Sequence, residues 1–257
     1  MRFFVAICVA PLLAQQSVNF SAVAKERALG QRLATEIRTK FKPLANPAVD
    51  TYIRRIGSEL VGQLREAPFE YQFEVISGSS RTEPFSLPGG YVLIPANAFA
   101  VAQDEAEFVG MLAHSIGHVA LRQGMPKSVA NIPMVFMGGG TGLHAEGNHP
   151  QTSVPVGFLD FQRAHELDAD RFGLELSARA GYDASAFQRY VERTHPADSK
   201  LSALPARELR LSRIRGIIAT LSPAITISQS GEEFRSIQEA LRLTMKSPAP
   251  LVPTLRR

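Results

Sequence analysis

The chain has 257 residues, of which 45% are hydrophobic and 20% charged, enough for one large soluble domain or two small ones with a sizeable core. Its formal net charge of +4 is small and comes with no long Lys/Arg run, which argues against a nucleic-acid partner. The single cysteine, Cys8, lies inside an apolar N-terminal stretch, so a mature chain without that stretch has no disulfide framework.

Residues 1–14 read as an export signal. Arg2 supplies a positive start, Phe3 to Leu13 an apolar run, and Ala14 a small residue at the cleavage position. The run is too short to span a bilayer comfortably, and no later segment is long and apolar enough to do so. Residues 15–246 then form the folded domain. Lys25 to Leu64 predicts two helices from apolar residues at helical spacing, broken by Pro43 and by Asn46-Pro47. Tyr71 to Ile76 alternates in the manner of a half-buried strand, Ser77 to Arg81 is a turn, and Tyr91 to Ile94 is a second strand after Pro88-Gly89-Gly90. Asp104, with Glu107 three residues on, marks a capped helix start, and that helix runs to Leu121. Residues 126–157 are rich in Pro, Gly, Asn, Thr and Ser and read as a long loop, within which Lys127 to Val156 is expected to form a mobile cover over the cleft. Helices are predicted at Phe158 to Arg179, Ala184 to Thr194, Pro205 to Leu221 and Gly231 to Leu243, followed by a flexible Pro-rich tail over residues 247–257. The fold class is therefore α+β, mostly helical, with one small sheet.

His114 and His118 stand four apart on one predicted helix, so both imidazoles face the same side, the spacing that holds zinc with two neutral histidines. On its own such a pair also arises as packing or surface residues. The second helix adds Glu166 and Asp170, again four apart, in Glu-Leu-Asp-Ala-Asp. Glu166 would complete a two-histidine, one-glutamate set with an open fourth position, and Asp170 would accept the outer N–H of a ligand histidine and fix its tautomer. The alternative for both is an ordinary acidic helix face.

Four stretches in order, Leu87-Pro-Gly-Gly-Tyr, Asp104 through His-Ser-Ile-Gly-His to Arg122, His165-Glu-Leu-Asp-Ala-Asp-Arg-Phe-Gly and Arg179-Ala-Gly-Tyr-Asp, resemble the CAAX prenyl endopeptidase family of gluzincin metallopeptidases. The family includes bacterial heat-shock and periplasmic quality-control members. The resemblance covers about residues 25–245 and implies a zincin-like domain with one zinc ion held by His114, His118 and Glu166, supported by Asp170. It also implies an edge strand beside the active-site helix that pairs with extended peptide substrate, which maps onto Gly89, Gly90, Tyr91, Val92, Leu93 and on to Pro95.

The chain departs from the family pattern at several positions. Ser115 stands where the family has its catalytic glutamate, Glu83-Pro84 where it has Asn-Ala, and Asn97 where it has a glycine. The arginine that follows the His195-Pro196 pair is displaced, to Arg207 or Arg213. A serine hydroxyl is too weak a base at neutral pH and too short to replace a glutamate, and losing a general base removes about 10²- to 10⁴-fold in rate. Metal binding does not depend on that residue. No triad-like order of partners surrounds Ser115, so it is not read as a nucleophile.

His195 is read first as a loop-capping residue and second as a metal-proximal or oxyanion-stabilising one. His144 and His149 fall in the long loop, and His165 points away from its neighbour Glu166. These residues lead to an exported domain that binds zinc and extended or unfolded peptide, with weak or no hydrolysis, and with an unidentified partner associated with the membrane left open. Two rivals stand beside it. One is a working endopeptidase that draws on Glu105, Glu107 or Asp168 as its base; the other is a structural domain without metal.

Overall fold

The computed structural model describes residues 20–123, 156–196, 198, 202–221 and 231–246. The residues read as an export signal, 1–14, those read as a loop up to residue 155, and those read as a Pro-rich tail, 247–257, lie outside the described residues; residues 156 and 157, expected in the loop, belong to a helix instead. Eight helices are described: α1 Phe20–Lys40, α2 Pro47–Val61, α3 Ala96–Val101, α4 Glu105–Ala120, α5 Val156–Arg179, α6 Ser185–Thr194, α7 Arg207–Ile218 and α8 Gly231–Lys246. Three strands, β1 Gln72–Ile76, β2 Phe85–Leu87 and β3 Tyr91–Pro95, form one sheet. No helix among the described residues is long and apolar enough to cross a membrane.

Local chemistry sets the helix starts. Pro47 opens α2, and the Asn46 side chain accepts from the amides of Ala48 and Val49 at 3.1 and 3.3 Å. Asp104 caps α4 by accepting from the Glu107 amide at 2.8 Å; the returning arm of Glu107 lands one residue early, on the Gln103 amide at 2.9 Å. Two elements escape the sequence patterns. α3 spans six residues, and β2 is a three-residue strand buried throughout, too short to show alternation.

The strand order is β1-β3-β2, which corrects the assignment of Tyr91–Pro95 as an edge. β3 pairs in parallel with β1, Gln72 opposite Tyr91, and antiparallel with β2, Phe85 opposite Leu93. Both of its edges are thus taken. Both faces are covered as well: Tyr91 and Leu93 pack under α1 with Leu33 and Ile37, whereas Val92 and Ile94 face the main core. The free edge beside α4 belongs to β2 among the described residues. Gly89 and Gly90, expected at the substrate, are buried in a 3₁₀ turn at φ 74° and 98°. A Cβ on Gly89 would sit 2.5 Å from the Arg27 Cα, and one on Gly90 2.5 Å from the Glu70 carbonyl oxygen. Gly89 lets α1 cross the turn closely, and Gly90 lets the segment before β1 do the same.

The main core lies between the sheet, α2 and the later helices. Tyr52, Phe99, Phe108 and Phe234 bring α2, α3, α4 and α8 together, with the Phe99 and Phe108 rings 4.2 Å apart. α4 is buried from Glu107 to Val119 on every side, because α5, α6, the sheet and α2 surround it.

Candidate metal centre

His114 and His118 project from the middle and end of α4 toward α5, and α5 comes close because Gly173 faces the α4 backbone. A Cβ on Gly173 would lie 2.6 Å from the His114 amide nitrogen. This crossing brings Glu166 and Asp170 against the two histidines, all four buried. His114 Nε2 and His118 Nε2 are 3.1 Å apart. Glu166 Oε2 lies 3.5 Å from His114 Nε2, and its Oε1 lies 3.6 Å from His118 Nε2.

The outer ring nitrogens explain why the inner ones face each other. His114 Nδ1 is 2.9 Å from Asp170 Oδ1, an acceptor, and His118 Nδ1 is 2.7 Å from Gln123 Oε1, also an acceptor. Each Nδ1 therefore carries a hydrogen and each Nε2 a lone pair. Two lone pairs and a carboxylate pointing at one another in a buried place need a cation between them. Donors held tetrahedrally by zinc at about 2.0–2.2 Å stand about 3.3 Å from one another, close to the spacings here. Glu166 Oε2 makes no hydrogen bond among the described residues, and its carboxylate faces the two Nε2 atoms; His114 Nδ1, 2.9 Å from Asp170 Oδ1, is close to that carboxylate but outside hydrogen-bond geometry. The three residues fit one metal ion, and they are the group of that kind among the described residues.

Without a metal a proton takes that place. Burial opposes charge on His114, but its contacts with Asp170 and Glu166 outweigh burial and push it up to about 9. Burial lowers His118 to about 4, reinforced by the charge on His114. Burial works against the Glu166 carboxylate too, yet the two histidines hold it at about 2. Asp170 stays well below the usual carboxylate range despite its burial, because Arg210 and His114 surround it. Arg210 Nε and Nη2 each reach an Asp170 oxygen at 2.8 Å.

Ser115 is buried, and its hydroxyl donates back to the Met111 carbonyl oxygen at 3.1 Å. The three substitute bases are elsewhere. Glu105 accepts from the Tyr52 hydroxyl at 2.8 Å, and Glu107 is held by Arg193 at 2.6 Å, seven residues and about 10 Å along the helix from His114. Asp168 is exposed on α5. His195 caps its loop rather than approaching the metal site: Nδ1 lies 2.8 Å from the Pro196 carbonyl oxygen and Nε2 3.1 Å from that of Pro205. Tyr91, Val92 and Leu93 are buried inside the sheet. His144 and His149 lie outside the described residues.

Two residues of the site were not read from the sequence. Arg210, not Arg207 or Arg213, reaches Asp170, because it shares the buried face of α7 with Leu211 and Ile214. That apolar pattern was the available signal. Gln123 had none beyond its place five residues after His118. Of the family departures, Asn97 sits in the first turn of α3 and donates to the Ser80 carbonyl oxygen at 3.2 Å, and Glu83-Pro84 lies in the bend before β2.

A sequence model of peptidase family M48 matches residues 47–218. The match is to the family as a whole and not specifically to the prenyl endopeptidases within it. The beta-barrel assembly-enhancing protease of Escherichia coli O157:H7 is 23% identical over 234 residues, 83% of this chain and 47% of that protein. The same protease of Yersinia pestis is 22% identical over 237 residues, 84% of this chain and 49% of the relative. The mitochondrial metalloendopeptidase OMA1 of Schizosaccharomyces pombe is 22% identical over 226 residues, 82% and 66% of the two chains. The chain spans about half the length of the bacterial relatives it matches.

Proposed function

The chain belongs to peptidase family M48, and from that premise we propose that it is an exported, divergent member that binds one zinc ion and extended peptide and hydrolyses peptide weakly or not at all. The observation that carries the reading is the 3.1 Å approach of two imidazole Nε2 atoms whose Nδ1 atoms lie 2.9 Å from Asp170 Oδ1 and 2.7 Å from Gln123 Oε1. His114, His118 and Glu166 would hold the ion, which would supply Lewis acidity there. Peptide hydrolysis also needs a group that takes a proton from the attacking water and hands it to the leaving amine. At that position Ser115 offers a hydroxyl already donated to its own helix. Glu105, Glu107 and Asp168 are tied up or face away, so no substitute base favours the working-enzyme reading. A purely structural domain is disfavoured by the converging lone pairs, which a fold has no reason to bury.

Peptide would add along β2, the free edge that packs beside α4, through backbone hydrogen bonds indifferent to sequence. The apolar run at residues 3–13 supports export. The printed name of the bacterial relatives, beta-barrel assembly-enhancing protease, supports a role beside protein assembly; unfolded or extended segments are the species expected to be bound.

The test is elemental analysis of the mature chain and casein hydrolysis beside Ser115→Glu. About one zinc per chain is expected, lost in His118→Ala, and the substitution should raise hydrolysis at least about 10²-fold by restoring a carboxylate at the general-base position. A wild type that cleaves casein as well as the variant has another base, and the weak-enzyme reading is then wrong. If both hold zinc and neither cleaves, the domain is a binding module.

A further inference from the structure

After His118 the chain continues Val-Ala-Leu-Arg-Gln and turns back over the end of α4. Arg122 takes φ 55°, a left-handed conformation unfavourable for any residue with a side chain. Its amide donates to the Val119 carbonyl oxygen at 3.0 Å, and the Gln123 amide donates to that of His118 at 3.1 Å. This is the two-bond helix ending in which glycine usually occupies the left-handed place. Here an arginine occupies it, and its guanidinium is ion-paired with Glu26 of α1, whose side chain is 1% exposed. A carboxylate taken so far from water needs a cationic partner, so the pair holds the turn as well as the helix contact.

The turn puts the Gln123 amide between two helices. Nε2 donates to the His165 carbonyl oxygen on α5 at 3.3 Å, which commits the donor side of the amide. Oε1 is left as the acceptor at 2.7 Å from His118 Nδ1. The hydrogen of His118 is thereby kept on Nδ1 and its lone pair on Nε2, which faces His114.

We propose that Gln123 is a positioning residue that fixes the tautomer and ring orientation of His118 for metal binding, and that the Glu26–Arg122 pair ties this arrangement to α1. The inference rests on the reading that His114, His118 and Glu166 hold zinc. The two histidines are then oriented by unlike partners, His114 by the Asp170 carboxylate and His118 by a neutral amide. α1 ends at Lys40, ahead of the residues matched to the family, which begin at 47.

The experiment measures the zinc dissociation constant by competition with a chromophoric chelator for wild type, Gln123→Met, Gln123→Glu and Glu26→Gln. It also records the imidazole nitrogen resonances of His118 in chelator-treated protein. Gln123→Met keeps the length of the side chain but has no acceptor, and should weaken zinc about 10- to 100-fold. Gln123→Glu keeps the acceptor while losing the donor to His165, and should bind zinc much as wild type does. Glu26→Gln should weaken zinc in the same direction by less. The His118 resonances should report the Nδ1–H tautomer in wild type and in Gln123→Glu, and a mixture in Gln123→Met. Equal zinc affinity in Gln123→Met and wild type overturns the positioning role. So does Gln123→Glu behaving like Gln123→Met, since the residue would then serve only to bridge α4 and α5. Unchanged affinity in Glu26→Gln overturns the link to α1. A wild type that holds no zinc refutes the proposed function instead, and the tautomer measurement then decides the Gln123 assignment by itself.

Discussion

Helix α4 has buried carboxylates packed at both of its ends, and the two ends use them differently. At the N-terminal end Glu107, wholly buried, gives its oxygens to Arg193 at 2.6 and 3.1 Å and to the Gln103 amide, while Glu105 takes the Tyr52 hydroxyl. Each carboxylate there is met by donors of its own, and the cluster is complete as it stands. At the C-terminal half Asp170 is equally well met by Arg210 and His114, but Glu166 faces two imidazole lone pairs and one of its oxygens has no hydrogen bond among the described residues. A closed cluster of charges fastens α4 to α6. An open one, with acceptors converging, is a place for a cation. Burial and charge alone do not distinguish the two; the count of donors against acceptors does.

The largest effect is expected at Arg210. Arg210→Met leaves Asp170 buried with one partner fewer and should cost about 3–5 kcal/mol in chemical denaturation, with zinc affinity weakened because Asp170 no longer holds His114 firmly. If stability falls but zinc binding is untouched, Asp170 does not orient the ligand.

A pH series on the metal-free protein tests the open cluster itself. His114 is raised from 6.5 to about 9 in the folded state, so its contribution is full below about 6.5 and is lost as pH rises toward 9. His118 is lowered from 6.5 to about 4, so its contribution is full above about 6.5 and is lost as pH falls toward 4. Glu166, at about 2, contributes fully above 4.5 and loses its contribution only in stronger acid. The melting temperature of chelator-treated protein should therefore peak near pH 6.5. Zinc should remove the alkaline decline, since the metal replaces the proton between the rings. A flat profile from pH 5 to 9 would mean that the two histidines share no proton.

The smallest effect belongs to the closed cluster. Arg193→Met should cost about 1–2 kcal/mol, reduced because the Arg193 side chain is 32% exposed, and should leave zinc affinity unchanged. Weaker zinc in this variant would show that the two ends of α4 are not separate.

Much of this was legible from residue order. Four-residue spacing on two helices offered His114, His118, Glu166 and Asp170, the family resemblance singled them out as ligands and support, and the structure brings those four side chains together. Helix positions followed from apolar periodicity and from Asn46-Pro47 and Asp104 as starts. Less was legible where short elements carry no period, as in α3 and β2. The same holds where a residue has several equivalent neighbours, as with the arginines at 207, 210 and 213.

Residue order set the chemistry on offer: two histidines and a glutamate at helical spacing and, by the family resemblance, a serine at the general-base position. Helical spacing is local, so residues four apart share a face whatever the rest of the chain does. Only the tertiary structure decided the neighbours. It put β3 between β1 and β2, so that the strand after Pro88-Gly89-Gly90 became interior and β2 the edge. It chose Arg210 for Asp170 across 40 residues, turned His195 to its own loop, and set Gln123 on His118 through a turn held by Glu26, far back in α1. Those pairings depend on which faces are left when distant helices pack, and no period in the chain encodes them.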